Sequence, residues 1–278
     1  MIIIESRLEL KKNIVQIFKR LVKRYIKHDI SAYAALMAFF LTLSMFPFLI
    51  ILFAVLAEFS LDTYVVINAI ELFFPAEVHN LVLEFISQNI VLRDLKLLSI
   101  SVIGALWASS RGIRALMLSL NMAYEVKETR NYFVVKFIDI LYTVLIIFGI
   151  TFLLTLPNIG REFFTYVRQY LYISPRIVEI VSLLKTFVLP IAIFLIIITL
   201  YMFLPNKRQP LVNVLPGTVF TVIGWTALSY FFTIFVNYIA NFSFLYGSLS
   251  TIIILMLWLY FSSIILILGG ELNSVFKA

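Results

Sequence analysis

Apolar runs of bilayer length alternate with short polar connections along most of the chain, at about 31–57, 133–157, 177–204, 212–240 and 247–270. Each reaches the roughly 20 residues that a helix needs to cross about 30 Å of hydrocarbon. A sixth run, about 97–120, is interrupted by Ser109, Ser110, Arg111 and Arg114. A cation at the bilayer centre costs at least about 2.5 kcal/mol, so the two arginines predict a helix side turned to a protein interior or a wet cavity. Offsets of three and four residues place Trp107, Arg111, Arg114, Leu118 and Asn121 on one stripe of that helix. The pattern predicts an all-α, polytopic integral membrane protein, a single membrane domain over 1–278.

The polar connections orient the spans. Residues 1–30 carry eight basic side chains, Arg7, Lys11, Lys12, Lys19, Arg20, Lys23, Arg24 and Lys27, which holds the N-terminus in the cytoplasm. The connection 58–96 carries six acids (Glu58, Asp62, Glu71, Glu77, Glu84, Asp94) against Arg93 and Lys96, an external composition. Lys127 with Arg130, and Lys207 with Arg208, return to the inside. Six spans satisfy this alternation and leave the C-terminus cytoplasmic; five do not. The loop with Arg161, Arg168 and Arg176 is discordant, being basic where the count places it outside.

Two segments have the periodicity of helices lying at an interface. Leu10, Ile14, Ile17, Phe18, Leu21, Tyr25 and Ile26 form an apolar stripe opposite the N-terminal cations, suited to the anionic headgroups of the cytoplasmic leaflet. A nucleic-acid-binding arm is the competing reading of those cations, and their place beside a first span argues against it. In the external connection, Val78, Leu81, Val82, Phe85 and Ile86 give a short amphipathic piece after Pro75, read as a cap over the bundle.

Composition agrees. Of 278 residues, 62% are hydrophobic and 13% charged, about half the charge of a soluble domain. Cysteine is absent, which excludes a disulfide framework and thiolate chemistry. The only histidines, His28 and His79, fall on opposite sides of the membrane, so neither a histidine metal site nor a Ser-His-Asp triad is expected. No Gly-rich phosphate loop ends in Lys-Ser or Lys-Thr, and no cleavable signal peptide is expected in the first 27 residues. No cofactor or metal is called for.

By the helix rise, Arg114 lies roughly 10 Å and Arg111 roughly 15 Å from Asn121 at the cytoplasmic end of its span. Asp139, early in the third span, and Glu271, closing the sixth, are the acids at similar depth. One reading is a cytoplasm-facing cavity that attracts an anionic group. The other is a set of buried ion pairs that fixes helix register. Pro47, Pro190 and Pro216 sit within or near the start of spans, where each removes a backbone hydrogen bond and bends the helix. Gly217, Thr221 and Gly224 form a small-residue stripe for close helix contact. Gly269–Gly270 either end the sixth helix or admit a near neighbour.

Three segments together resemble the YihY/BrkB membrane proteins, formerly labelled ribonuclease BN: AYAALMAFFLTLSMFPFL at 32–49, LWASSRGIRALMLSLNMAYEV at 106–126 and YGSLSTIIILMLWLYFSSIILILGGELNSVF at 246–276. The matching positions are Pro47, Trp107, Ser110, Arg111, Gly112, Asn121, Tyr124, Tyr246, Gly247, Glu271 and Asn273. Met45 interrupts the Ser-Leu-Phe-Pro pattern, and Gly270 stands where alanine is usual. The resemblance implies a six-span bacterial inner-membrane protein, with members linked to serum resistance and proposed as transporters. The ribonuclease label is doubtful for such sequences, and the two separated histidines argue against it here.

The leading expectation is therefore a multi-pass cell-membrane protein that is not an enzyme. It would move an anionic or amphipathic substrate, a lipid among them, through an Arg111–Arg114 surface without its own ATPase. The alternative is a non-transporting scaffold or envelope-integrity factor with structural charges. Membrane lipids are the expected partners, nucleic acid is not, and the reading leaves room for a homo-oligomer.

Overall fold

In hydrocarbon every backbone N–H and C=O has to find a partner within its own segment, so long apolar runs fold as helices. The computed structural model describes residues 2–58, 95–170, 190–236 and 250–277. Among these residues there is no strand. The helices are α1 (Ile2–Lys27), α2 (Ile30–Glu58), α3 (Leu95–Ala123), α4 (Tyr132–Tyr170), α5 (Pro190–Phe203), α6 (Leu211–Ile234) and α7 (Ser250–Lys277). The amphipathic pieces expected within 58–96, the start of the span at 177–204, and Tyr246 with Gly247 lie outside the described residues.

Among the described residues, three helices are long and apolar enough to cross a membrane: Tyr132–Phe152, Leu211–Ile234 and Ile252–Phe276. A fourth candidate is the bent pair Val15–Lys27 and Ile30–Met45, which meet at 65°. Asp29 forms the corner with a left-handed φ of 47°, a conformation that aspartate adopts more readily than most residues. α2 continues through Pro47 and α6 through Pro216. Any bend at Pro190 falls outside the described residues, since α5 is described from that residue onward.

Two sequence expectations change. α4 does not stop near 157 but runs to Tyr170, so Arg161 and Arg168 lie along a helix rather than in a loop. α7 does not end at Gly269–Gly270 but continues to Lys277, so Glu271 and Asn273 project from a continuous helix. Here the glycines serve contact, not termination. A methyl group on Gly270 would come within 3.0 Å of Leu120 Cδ2, and one on Gly269 would overlap Tyr201 Oη and Thr221 Oγ1.

α2 packs on α3 and α7, α7 on α6, and α3 on α4. Among the described residues the largest apolar cluster joins Met37, Met117, Leu120, Val135, Ile197, Tyr201, Leu204 and Val214, drawing together α2 to α6. A second cluster couples α6 to α7 through Trp225, Phe232 and Trp258, the two indoles 6.0 Å apart. Buried hydroxyls satisfy themselves on the preceding turn: Thr42 donates to Ala38 O, Ser119 to Ala115 O and Thr218 to Val214 O.

The outer surface inverts the rule for soluble proteins. Phe133, Phe137, Leu141, Leu145, Phe148 and Phe152 recur every three or four residues along α4 and are all exposed, a continuous apolar stripe. A stripe of that length needs an apolar solvent, and the bilayer provides one.

Candidate functional site

The motif-bearing helix α3 is amphipathic in a graded sense. Its stripe passes from exposed Trp107 and Arg111 through half-buried Arg114 and Leu118 to buried Asn121. α4 lies alongside and adds two charges, Lys136 and Asp139, one helical turn apart. Lys136 Nζ donates to Ser110 Oγ at 2.6 Å and to Trp107 O at 3.0 Å, and sits 3.9 Å from the centre of the Trp107 ring. These contacts pin the start of α4 to α3 one residue from Arg111.

Asp139 is buried in the field of Arg114, Lys136 and Arg130. Its Oδ1 has no hydrogen-bond partner among the described residues. Among the described residues, Arg114 donates only to the thioether of Met117, at 3.5 Å. Arg111 is exposed and makes no hydrogen bond or ion pair to any described residue. Among the described residues the face thus carries three cations and one carboxylate, and one guanidinium makes no hydrogen bond or ion pair there.

Glu271 is not part of that face. It is fully buried, and its oxygens take Arg24 Nε at 2.5 Å, from the last turn of α1, and His28 Nδ1 at 2.6 Å, from the residue just after it. Arg24 also donates to Ala123 O at 2.9 Å and Ser274 Oγ at 3.0 Å, which ties α1 to the ends of α3 and α7. The expectation that Glu271 gathers with Arg111 and Arg114 is corrected accordingly. α1 folds back under the bundle at the 65° corner and delivers its own cations first. Glu125 completes this clasp. Its φ of 52° ends α3 in a Schellman motif, with Val126 N–H donating to Asn121 O at 2.8 Å and Glu125 N–H to Met122 O at 2.9 Å. The left-handed turn brings its carboxylate to Lys27 Nζ at 2.8 Å and His28 Nε2 at 3.1 Å. The hydrogen bond from Lys27 is the main reason that its carboxyl titrates below the usual range.

Asn121 and Asn273 are clasps too. Asn121 Nδ2 donates to Glu128 Oε2 at 3.0 Å, and its Oδ1 accepts from Asn206 N at 2.8 Å, joining two loops to the end of α3. Asn273 Oδ1 accepts from the backbone N–H of Gly217 at 2.6 Å, while its Nδ2 donates to Tyr124 Oη at 3.1 Å. Gly112 serves contact: a methyl there would meet Leu41 Cδ2 and Ser44 Oγ at 2.8 Å.

Glu128 is gripped by Arg130, which donates from its backbone N and from Nε and Nη2 at 3.0, 2.8 and 2.6 Å. The side-chain hydrogen bonds of Arg130 outweigh partial burial and hold the Glu128 carboxyl down to about 2. A folded pKa below the unfolded one stabilises the fold above about pH 4.5, and that contribution fades as pH falls towards 2. The melting-temperature gap between wild type and Glu128→Gln is therefore expected to narrow by more than half between pH 7 and pH 3. A gap independent of pH would show that the Arg130 contact contributes nothing.

Sequence reasoning missed Arg24, His28 and Lys136 as site residues. Lys136 carried a legible signal, lying three residues before Asp139 on one helix face. Arg24 and His28 carried none, because only the corner at Asp29 returns α1 to the bundle. Among the described residues, no group of three His, Asp or Glu side chains is placed to hold a metal ion.

The family model described as Virulence factor BrkB matches residues 21–278. The chain belongs to the BrkB family. A ribonuclease-like protein of Bacillus subtilis (strain 168), YfkH, is 37% identical over 257 residues, covering 92% of this chain and 94% of its own. A UPF0761 membrane protein of Histophilus somni (strain 2336) is 23% identical over 276 residues, covering 95% and 91%. Another UPF0761 membrane protein, from Pseudoalteromonas translucida (strain TAC 125), is 31% identical over 77 residues, 28% of this chain. No solved structure matches. This BrkB-family chain is thus a membrane protein; the UPF0761 relatives are named as membrane proteins, YfkH is named for a ribonuclease likeness, and the names assign no shared chemistry.

Proposed function

We propose that the protein moves an anionic amphiphile or anionic solute across the membrane without an ATPase of its own, taking it up on the α3–α4 cationic face. The observation that carries this reading is Arg111, an exposed guanidinium in an apolar helix with no partner among the described residues. A structural ion pair would be closed, whereas this cation is available. Arg114 and Lys136 add positive charge within two helical turns, and Asp139 supplies a counter-charge that an arriving anion displaces. In low dielectric such a cluster favours anion entry by far more than it would in water.

The reading takes six spans with both termini cytoplasmic, which sets the face in the inner half of the bilayer. It also takes α1 as lying on the anionic leaflet: Phe18 and Ile26 are 66% and 71% exposed beside Lys19 and Lys23, and the 65° corner directs α1 away from the α2 axis. A scaffold role is the second reading, favoured by Glu271, Asn121 and Asn273, whose polar atoms are spent on holding helix ends together.

Reconstituted protein is expected to move a labelled anionic lipid between leaflets, and Arg111→Ala to lower that rate at least tenfold with an unchanged melting temperature. Equal rates in the variant would remove Arg111 from the mechanism. No movement by wild type, with melting lowered in Arg111→Ala, would favour the scaffold.

A further inference from the structure

Beside the cationic face, on the other flank of α4, a cavity of about 410 Å³ opens between α4 and the turn that follows α5. It falls within the roughly 300–1,000 Å³ typical of small-molecule sites. Its polar wall is made of Arg130, Tyr142, Arg208 and Asn206, the last with its amide Nδ2 spent on Lys127 O and Thr129 Oγ1, and its apolar wall of Ile138, Phe203 and Pro205.

The polar wall presents donors. Arg130 spends Nε and Nη2 on Glu128, and Nη2 also reaches Leu204 O at 3.3 Å, but Nη1 donates to no described residue. Tyr142 Oη and the whole Arg208 guanidinium likewise have no hydrogen-bond partner among the described residues. Arg208 is nevertheless placed, its Cζ lying 5.9 Å from the centre of the Phe203 ring. Glu128 neutralises Arg130, so the net positive charge of the cavity comes from Arg208. Phe203, buttressing Arg208, also begins the apolar wall. The arrangement is an anion-recognising rim above a greasy floor.

We propose that this cavity binds the phosphate group of an anionic ligand, with Arg208 as charge partner and Arg130 Nη1 and Tyr142 Oη as further donors. Guanidinium groups suit phosphate because two parallel N–H groups match two oxygens, and a monoester offers three acceptor oxygens to three donor groups. A lipid headgroup and a soluble organophosphate share this chemistry. The apolar wall adds affinity for the lipid alone. The site goes beyond the proposed transport surface, for it uses none of Arg111, Arg114 or Lys136.

The test measures binding to the purified full chain in detergent by titration calorimetry. The probes are inorganic phosphate, glycerol 3-phosphate and dihexanoyl phosphatidic acid, with dihexanoyl phosphatidylcholine as the control. Dihexanoyl phosphatidic acid is expected to bind more tightly than the control. Arg208→Ala should weaken it at least tenfold, Tyr142→Phe about threefold, and Arg208→Lys should restore part of the loss. Arg208 is exposed, so its variants are expected to keep the wild-type melting temperature. Tighter binding of the lipid than of glycerol 3-phosphate assigns a headgroup site, and equal binding assigns a soluble phosphate; both support the proposal. Absence of binding by every phosphate probe would overturn it, as would equal affinity in Arg208→Ala. The Arg208-dependent part of the binding is expected to persist in an Arg111→Ala background, so failure of transport and failure of this site are separable.

Discussion

Gly217→Ala is expected to destabilise the protein by about 3 kcal/mol, the top of the ordinary range for overpacking a core. The position is a crossing of two backbones. A methyl group at Gly217 would overlap the Gly269 carbonyl oxygen and lie 2.5 Å from Asn273 Oδ1, the atom that accepts the Gly217 N–H. Neither obstacle can rotate away: one is main chain, and the other is held by Tyr124. Relief requires α6 and α7 to separate, which weakens the Trp225–Trp258 contact further along the same pair. At about 2–4 °C per kcal/mol for a chain approaching this size, the melting temperature should fall by roughly 6–12 °C. Gly224 tests the reasoning, since a methyl there meets only Ile265 Cγ2, at 2.9 Å, on a side chain that can turn. Gly224→Ala should therefore cost less, about 1 kcal/mol. Gly104 and Gly149 face open space, and alanine there should be neutral or stabilising by up to about 1 kcal/mol through helix propensity. A Gly217→Ala protein melting within about 2 °C of wild type would show that the helices are not in the contact described.

How much of this was legible beforehand depends on the range of the interaction. The helical class follows from apolar run length, a local property, and helices α2 and α3 cover the runs expected at about 31–57 and 97–120 to within about three residues at each end. The small-residue stripe Gly217–Thr221–Gly224 announced close contact, because only small side chains let helices approach. Its partner was not legible, for Gly269 was equally readable as a helix stop. The charges were least legible. Periodicity placed Arg111 and Arg114 on a face, and depth placed Asp139 and Glu271 near them, but depth does not choose between partners. The choice fell to a 65° corner at one residue, which sends Arg24 and His28 to Glu271. With Glu271 satisfied from α1, Arg111 is left without a partner among the described residues, and the candidate working surface contracts to α3 and the start of α4. The motif positions divide accordingly. Asn121, Tyr124, Glu271 and Asn273 fasten the end of the bundle, while Trp107, Ser110 and Arg111 border the open cationic face.

Glu271→Ala is expected to cost about 3–5 kcal/mol, because it leaves the guanidinium of Arg24 and the imidazole of His28 facing a site that no longer holds a carboxylate. The clasp joins α1 to the ends of α3 and α7, so the damage should be directed as well as large. Limited trypsin digestion is expected to cleave α1 among Lys19, Arg20, Lys23 and Lys27 faster in the variant, before the rest of the chain opens. Glu271→Gln, which keeps an acceptor of the same shape without the charge, should lose about half as much. A double-mutant cycle separates the pair from a general packing defect. Arg24→Ala leaves Glu271 buried with His28 alone, and the two single changes share one contact, so their combination should be at least about 1 kcal/mol less destabilising than the sum. Additive losses, or unchanged cleavage of α1 in Glu271→Ala, would mean that the carboxylate stabilises α7 by itself and does not hold the N-terminal helix to the bundle.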